Sequence, residues 1–233
     1  MQRPNLLPTR LLDETYAGVT YHLEGELVPS LTIELNGQQS IYFEHHVMLW
    51  KNTSVNIGLK KMKGALKRMF AGLQIFVTEA SGVGQIAMSR DGAGHIFAIH
   101  LAPGQEIDVR EHQFLAATNN VSYDFFRVRG AANLLAGSSG FFIDRFRAEG
   151  GPGIVWLHGY GNVFEKVLSP GEQIDMEPGA WLYKDPQLQM DTSMLGLSAG
   201  LFGSSSMIIN RFTGPGRVGI QSMSVVIPEQ AGT

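Results

Sequence analysis

Hydrophobic and polar residues alternate in several short runs of this chain. Ile107 and Val109 alternate with Asp108 and Arg110, and the run 173–177 (QIDME) follows the same pattern. A period of two is typical of a β-strand that buries its aliphatic side chains and turns its charged ones outward. Similar runs recur about every 8 to 12 residues between Gly, Pro and Asn. The pattern predicts an all-β fold, a sandwich or barrel, rather than alternating βαβ units.

Two long segments of the chain resemble each other without a gap. Residues 94–115 (GHIFAIHLAPGQEIDVREHQFL) and 161–182 (GNVFEKVLSPGEQIDMEPGAWL) share Gly, Phe, Leu, Pro-Gly, Ile-Asp and Leu at an offset of 67 (161 − 94). A weaker first copy, 34–52, aligns with them if one residue is inserted near Ser40. We therefore predict three degenerate repeats of about 66 residues. Their approximate bounds are 25–90, 91–157 and 158–228, within one domain over 1–233.

The remaining part of each unit recurs as well. Glycine-rich segments at 64–72, 130–137 and 196–203 are each followed by an apolar run, a glycine turn and a further strand. Three such units, closed about a local threefold axis, would cover most sheet edges. In one of the turns, Gly151 to Gly153, the proline presets φ and the glycines permit positive φ. We expect this turn to fix the register of the strand that follows it, with Gly153 at positive φ.

The order and spacing of these segments resemble those of a known family. The residues that carry the likeness are Leu31 to Leu35, Pro170-Gly171, Gly179 to Leu182, 64–68 and 151–157. With them, the chain resembles bacterial relatives of the altered-inheritance-of-mitochondria 24 protein. The resemblance implies a β-fold similar to that of the tryptophan RNA-binding attenuation protein, a double-stranded β-helix type with short helical turns. It also implies a homo-oligomer, and it supplies no catalytic residues.

One pair of residues departs from the family pattern. His45-His46 stands where the family usually has Pro-Gly or a similar turn pair. Pro-Gly suits a turn because proline presets one φ and glycine permits a positive one. The geometry of the turn in the first copy is therefore left open by the sequence.

Composition limits the possible functions. The chain is 44% hydrophobic and 17% charged, which is typical of a globular protein. Its net charge of −3 provides no overall positive field, so nucleic-acid binding is disfavoured. The absence of cysteine excludes disulfides, thiolate zinc sites and thiol chemistry. Since the N-terminus also has no apolar run of signal-peptide length, we expect a cytoplasmic protein.

Histidines are the first candidates for a metal site. A cupin-like enzyme would hold its metal with two histidines on one strand face and further His or Glu ligands. Adjacent His45 and His46 would point to opposite faces of a strand, so the best available set is Glu44, His46 and His112. The alternative is that these histidines make ordinary hydrogen bonds. A metal-dependent enzyme remains the main rival function.

Other catalytic signals have simpler explanations. The segment 214–219 (GPGRVG) matches a dinucleotide-binding pattern, but a strand-like run follows it where a helix is needed, so it is interpreted as a turn. Ser138-Ser139 and 204–206 are interpreted as turn residues between glycines. Asp108 and Asp175 occupy equivalent places in the repeats, which favours a structural role such as an Asx turn. We therefore predict neither a catalytic residue nor a cofactor.

The segment 59–73 (LKKMKGALKRMFAGL) carries the strongest functional signal. On a helix its apolar residues would share one side, and the opposite side would carry Lys60, Lys61, Lys63, Lys67 and Arg68. A basic amphipathic helix can lie on an anionic membrane surface or in a groove of a partner. It could equally cap the β-core with its lysines merely solvated. The leading hypothesis is a non-enzymatic oligomeric binding or scaffold protein, with RNA binding by analogy as a third possibility.

Overall fold

The structure is a computed structural model that describes residues 5–6, 12–62, 76–128, 141–198 and 204–223. The all-β prediction is confirmed, since these residues form strands and turns and no helix. In chain order the strands are β1 (Asn5–Leu6), β2 (Leu12–Tyr16), β3 (Val19–Glu24), β4 (Ser30–Asn36), β5 (Ile41–Phe43), β6 (Met48–Lys51), β7 (Val55–Lys61), β8 (Phe76–Met88), β9 (Gly94–Leu101), β10 (Glu106–Arg110), β11 (Phe114–Thr118), β12 (Val121–Val128), β13 (Phe141–Ala148), β14 (Gly153–Tyr160), β15 (Val163–Leu168), β16 (Gln173–Met176), β17 (Trp181–Lys184), β18 (Gln189–Ser198), β19 (Ser204–Thr213) and β20 (Gly216–Gln221).

The strands form three sheets. A ten-stranded sheet has the order β2-β3-β4-β8-β5-β11-β14-β9, with β6 and β7 also paired to the long β8. This sheet curls into a nearly closed barrel. Its two end strands approach each other, since the Tyr16 ring on β2 stacks on the His100 ring on β9 with 4.1 Å between centroids. A seven-stranded sheet has the order β1-β15-β20-β17-β10-β13-β12, and a three-stranded sheet has the order β16-β19-β18.

One pairing scheme occurs three times along the chain. The triplets β4-β8-β6, β9-β14-β11 and β15-β20-β17 have the same order, and all their pairings are antiparallel. In each triplet the last strand has an irregular register at its start, between Met48 and Trp50, Phe114 and Ala116, or Trp181 and Tyr183. The repeat boundary predicted after residue 157 falls inside β14.

In the described part of the chain, large aromatic side chains lie in three core clusters. Inside the curled ten-stranded sheet, Trp156 is fully buried and packs edge-on against Tyr21, with 5.3 Å between ring centroids. A second cluster lies around Phe114 and Phe146, whose rings stack at 4.9 Å. A third surrounds Trp181. Burying side chains of this size supplies most of the favourable free energy of folding, at about 25 cal/mol per Å² of apolar surface.

A buried carboxylate joins three strands of the seven-stranded sheet. Asp108 on β10 is completely buried and accepts hydrogen bonds from Arg145 Nε at 2.6 Å and Nη2 at 2.9 Å on β13. Lys184 on β17 donates to the second oxygen of Asp108 at 3.0 Å. The prediction that Asp108 faces outward is therefore wrong, and its structural role is this buried ion-pair network rather than an Asx turn, because Arg145 and Lys184 on the two neighbouring strands bind its carboxylate.

In the turn before β14, Gly153 is constrained by space rather than by φ. Positive φ occurs at Gly150 (71°), whereas Gly153 does not have it, so that expectation is wrong. A Cβ atom at Gly153 would instead lie 2.5 Å from Val121 Cγ2 and 3.2 Å from Thr118 Oγ1. Glycine is required there because the chain passes close to the start of β12.

The two aspartates provide a matched test of burial. We expect Asp108→Ala to lower the free energy of unfolding by about 3–5 kcal/mol, because it leaves the Lys184 ammonium buried without its carboxylate. Asp175→Ala removes a similar but exposed Arg211 contact, so its effect should be small. Urea denaturation of both variants measures the difference. Equal effects would show that the buried network does not stabilise the sheet.

Candidate functional site

The structure changes the interpretation of the basic segment. Leu59 to Lys61 continue β7, so the predicted helix is wrong for these residues. Their backbone pairs with β8, with Leu59 opposite Thr78 and Lys61 opposite Phe76. Pairing with a long neighbouring strand outweighs the helical periodicity of the side chains. Lys63, Lys67 and Arg68, and the rest of the proposed helix from 63 to 73, lie outside the described residues.

The two described lysines have different environments. The Lys60 ammonium donates to the carbonyl oxygen of Asn119 at 3.0 Å and also to its side-chain oxygen. It lies over the Tyr42 ring, 4.4 Å from the centroid, in a cation–π contact. Lys61 is exposed on the opposite face of β7. Of these two residues, Lys60 thus binds within the fold and Lys61 is exposed to solvent.

Apolar side chains lie beside Lys61 on the same face of the β7–β8 ribbon. Ile57, Leu59 and Lys61 alternate along β7, and Phe76 pairs with Lys61. Ile57 and Phe76 are exposed, and Leu59 keeps 66% of its surface in water. We call these four residues the contact face. Exposed apolar side chains that cluster next to a charge mark interaction sites more often than isolated ones do.

The candidate metal ligands do not form a metal site. No group of three or more His, Asp or Glu side chains in the described part of the chain is arranged to hold a metal ion, and this includes the trio Glu44, His46 and His112. His46 and His112 each lie in a tight turn with φ at 67°. A positive φ outside glycine is uncommon, and histidine is among the residues that tolerate it. His46 therefore adopts the turn conformation that glycine would otherwise supply.

Buried histidines serve as neutral hydrogen-bonding groups. His158 is almost fully buried, and its Nε2 lies 3.2 Å from the Gly92 carbonyl oxygen. In the part of the chain that the structure describes, its Nδ1 has no hydrogen-bond partner. Burial, assisted by the nearby positive charge of Arg90, lowers the pKa of His158 to about 4. Burial also lowers the pKa of His95, whose Nδ1 accepts a hydrogen bond from the backbone N–H of Val163 at 3.2 Å. These contacts agree with the ordinary hydrogen-bonding alternative.

Other residues with possible chemistry also have structural places. The segment 214–219 leads from β19 into β20, so the interpretation as a turn followed by a strand is confirmed. Residues 204–206 begin β19, so their prediction as turn residues is wrong, and Ser138-Ser139 lies outside the described residues. The carboxylate of Asp175 binds Arg211 through two hydrogen bonds of 2.7 and 2.8 Å. An ion pair between neighbouring strands, rather than an Asx turn, is its structural role.

The strands described above define an all-β protein with a nearly closed barrel-like sheet. Within the described residues, no helix has the length and apolarity needed to cross a membrane. The family model described as "Mitochondrial biogenesis AIM24" matches residues 21–223. The chain therefore belongs to the AIM24 family, and the predicted family resemblance is confirmed. A search of curated proteins found no match.

A solved structure has a similar fold. The crystal structure of protein SPYM3_0169 from Streptococcus pyogenes aligns with a TM-score of 0.66 and 22% sequence identity. The alignment covers 88% of this chain and 94% of that protein. At this identity the likeness concerns the fold alone.

The low pKa of His158 predicts acid sensitivity. In the unfolded chain a histidine has a pKa near 6.5, whereas His158 in the folded protein has a pKa of about 4. Between these two pH values the unfolded state therefore binds one more proton than the folded state. Stability should therefore fall as the pH is lowered from 6.5 towards 4. His158→Gln should reduce the loss between pH 7.5 and 5 by about 2 kcal/mol. Urea denaturation at the two pH values measures this.

His22→Gln is the control for that experiment. The pKa of His22 is raised, chiefly by its hydrogen bond to Asp13, so protonation of His22 stabilises the folded state. In the His22→Gln variant, the loss of stability between pH 7.5 and 5 should be the same as in wild type or larger. An acid loss that is the same in wild type and His158→Gln would contradict the assignment to His158.

Proposed function

We propose that this protein is a non-enzymatic, oligomeric binding scaffold that meets an anionic surface through its contact face. The observation that carries the proposal is the exposure of Ile57, Leu59 and Phe76 directly beside Lys61. Apolar side chains can enter the boundary between lipid headgroups and acyl chains, and lysine is attracted to anionic lipids. The basic residues Lys63, Lys67 and Arg68 follow Lys61 in the sequence and would add to this attraction.

The architecture supports a scaffold of three related units. The recurring strand triplets have similar registers and the same irregularity at the start of their last strand. We propose that they are three copies of one unit of the attenuation-protein type within a single domain. Such a protein would be cytoplasmic, since a chain without cysteine suits a reducing compartment. Its partner would be the anionic surface itself rather than a nucleic acid.

Leu59→Ser should weaken binding to vesicles that contain anionic lipid, because it removes the most exposed apolar side chain of the contact face. Val167→Ser is the matched control, since Val167 is also a strongly exposed aliphatic residue but lies on β15. Cosedimentation of each variant with vesicles measures the bound fraction. Equal binding by wild type, Leu59→Ser and Val167→Ser would contradict the use of this face.

Charge can be tested separately on the same surface. Replacing Lys61, Lys63, Lys67 and Arg68 with Gln, while keeping Lys60, should reduce binding, since each basic residue near an anionic surface contributes about 1 kcal/mol. High salt should reduce wild-type binding in the same way, because exposed charges are screened within about 10 Å at 0.1 M. Thermal stability should change little. Binding that is independent of both salt and these residues would rule out an electrostatic contact.

A further inference from the structure

The last strands of the three triplets differ in one respect. β11 pairs with β14 on one side and with β5 on the other, and β17 lies in the same way between β20 and β10. β6 occupies the corresponding place beside β8, but among the described strands it has no second partner. The open side of β6 is therefore a sheet edge, whereas the corresponding sides of β11 and β17 are paired with β5 and β10.

Side chains on this edge are exposed where their counterparts are buried. Phe114 and Leu115 on β11 are buried, as are Trp181 and Leu182 on β17. The exposed fractions on β6 are 43% for Met48, 56% for Leu49 and 46% for Trp50. Three consecutive large apolar residues on an open edge are a template for pairing with another strand.

A second edge has the complementary character. β5 lies between β8 and β11, and β10 lies between β13 and β17. β16 occupies the corresponding place in the third unit, but among the described strands it pairs only with β19. Asp175 on β16 is opposite Arg211, just as Asp108 on β10 is opposite Arg145. Both pairs are bidentate, but Asp108 also binds Lys184 and is buried, while Asp175 is exposed.

Lys51 is the residue that corresponds to Lys184. Lys184 is the last residue of β17 and Lys51 the last of β6, and each comes three positions after the residue that starts the register irregularity. Lys184 reaches across to Asp108 on the neighbouring strand. Among the described residues, Lys51 donates only to the adjacent carbonyl oxygen of Asn52, at 3.3 Å. The β6 edge thus presents a cation at the position where the β16 edge presents a carboxylate.

We propose that β6 of one copy of this chain pairs antiparallel with β16 of a second copy. The register of β10 with β17 sets the expected register, with Lys51 opposite Asp175 and Trp50 opposite Met176. The contact would bury the apolar edge and complete the ion-pair cluster. Because the two edges differ, the association is heterologous and each copy keeps one free edge, which leads to a ring or a filament. This inference rests on the oligomeric part of the proposed function.

Two single variants, each blocking one edge, test the inference. Trp50→Lys places a charge on the β6 edge, and Asp175→Lys places one opposite Lys51 on the β16 edge. Each should raise the dissociation constant for self-association at least roughly tenfold, measured by sedimentation velocity over a wide concentration range. Lys51→Asp is a second β6 variant that keeps Trp50 and sets a carboxylate against Asp175. Val167→Lys, an equally drastic change on exposed β15, should associate like wild type.

Mixing the two blocked variants gives the sharpest outcome. Trp50→Lys retains an intact β16 and Asp175→Lys an intact β6, so together they should form a heterodimer that grows no further. Thermal melting confirms that each variant is folded. A wild-type chain that stays monomeric would overturn the inference and the oligomeric proposal but not the vesicle contact. A wild-type oligomer that both variants leave intact, or a mixture that forms no heterodimer, would overturn only the β6–β16 interface.

Discussion

Backbone hydrogen bonding between strands that are distant in sequence is the constraint on which this structure depends. β5 pairs with β11 and β10 pairs with β17, and these contacts join segments that lie dozens of residues apart. The backbone N–H and C=O groups of a buried strand must form hydrogen bonds with a neighbouring strand, because each buried polar group without a hydrogen bond costs about 1–3 kcal/mol. The pairing decides which side chains are covered, and so it also decides where the core and the exposed edges lie.

Two Asp–Arg ion pairs of the same geometry differ in how far they are buried. In the pair of Asp108 with Arg145, the carboxylate is completely buried and also binds the buried Lys184 on β17, so it is desolvated and depends on both cations. Asp175 with Arg211 has the same bidentate geometry but remains open to water. Buried His158 shows a related effect, since burial keeps it neutral. Burial, rather than residue type, therefore separates a stabilising network from a surface that can still receive a partner.

Two surfaces of the described chain combine exposed apolar residues with charge. The contact face joins Leu59 and its neighbours to Lys61, and the β6 edge joins Trp50 and its neighbours to Lys51. The edge has a complementary strand in the same sequence, which favours a second copy as its partner. The contact face has basic residues continuing beyond Lys61, which favours an anionic surface. Self-association would repeat the contact face on every copy, so weak individual contacts would add up.

The sequence by itself determined the all-β class, the family and the positions of the main turns. Period-two alternation and regularly spaced glycines are local signals, and they do not depend on how the sheets assemble. Only the tertiary structure decided that Asp108 is buried, that Leu59 to Lys61 extend a strand and that Gly153 is required for space. Each of these outcomes depends on a neighbour that is remote in sequence: Lys184 on β17 binds Asp108, β8 pairs with the end of β7, and Val121 lies against Gly153. Local periodicity carries no information about such neighbours, because a strand's second face and second edge are defined by whatever strand packs there.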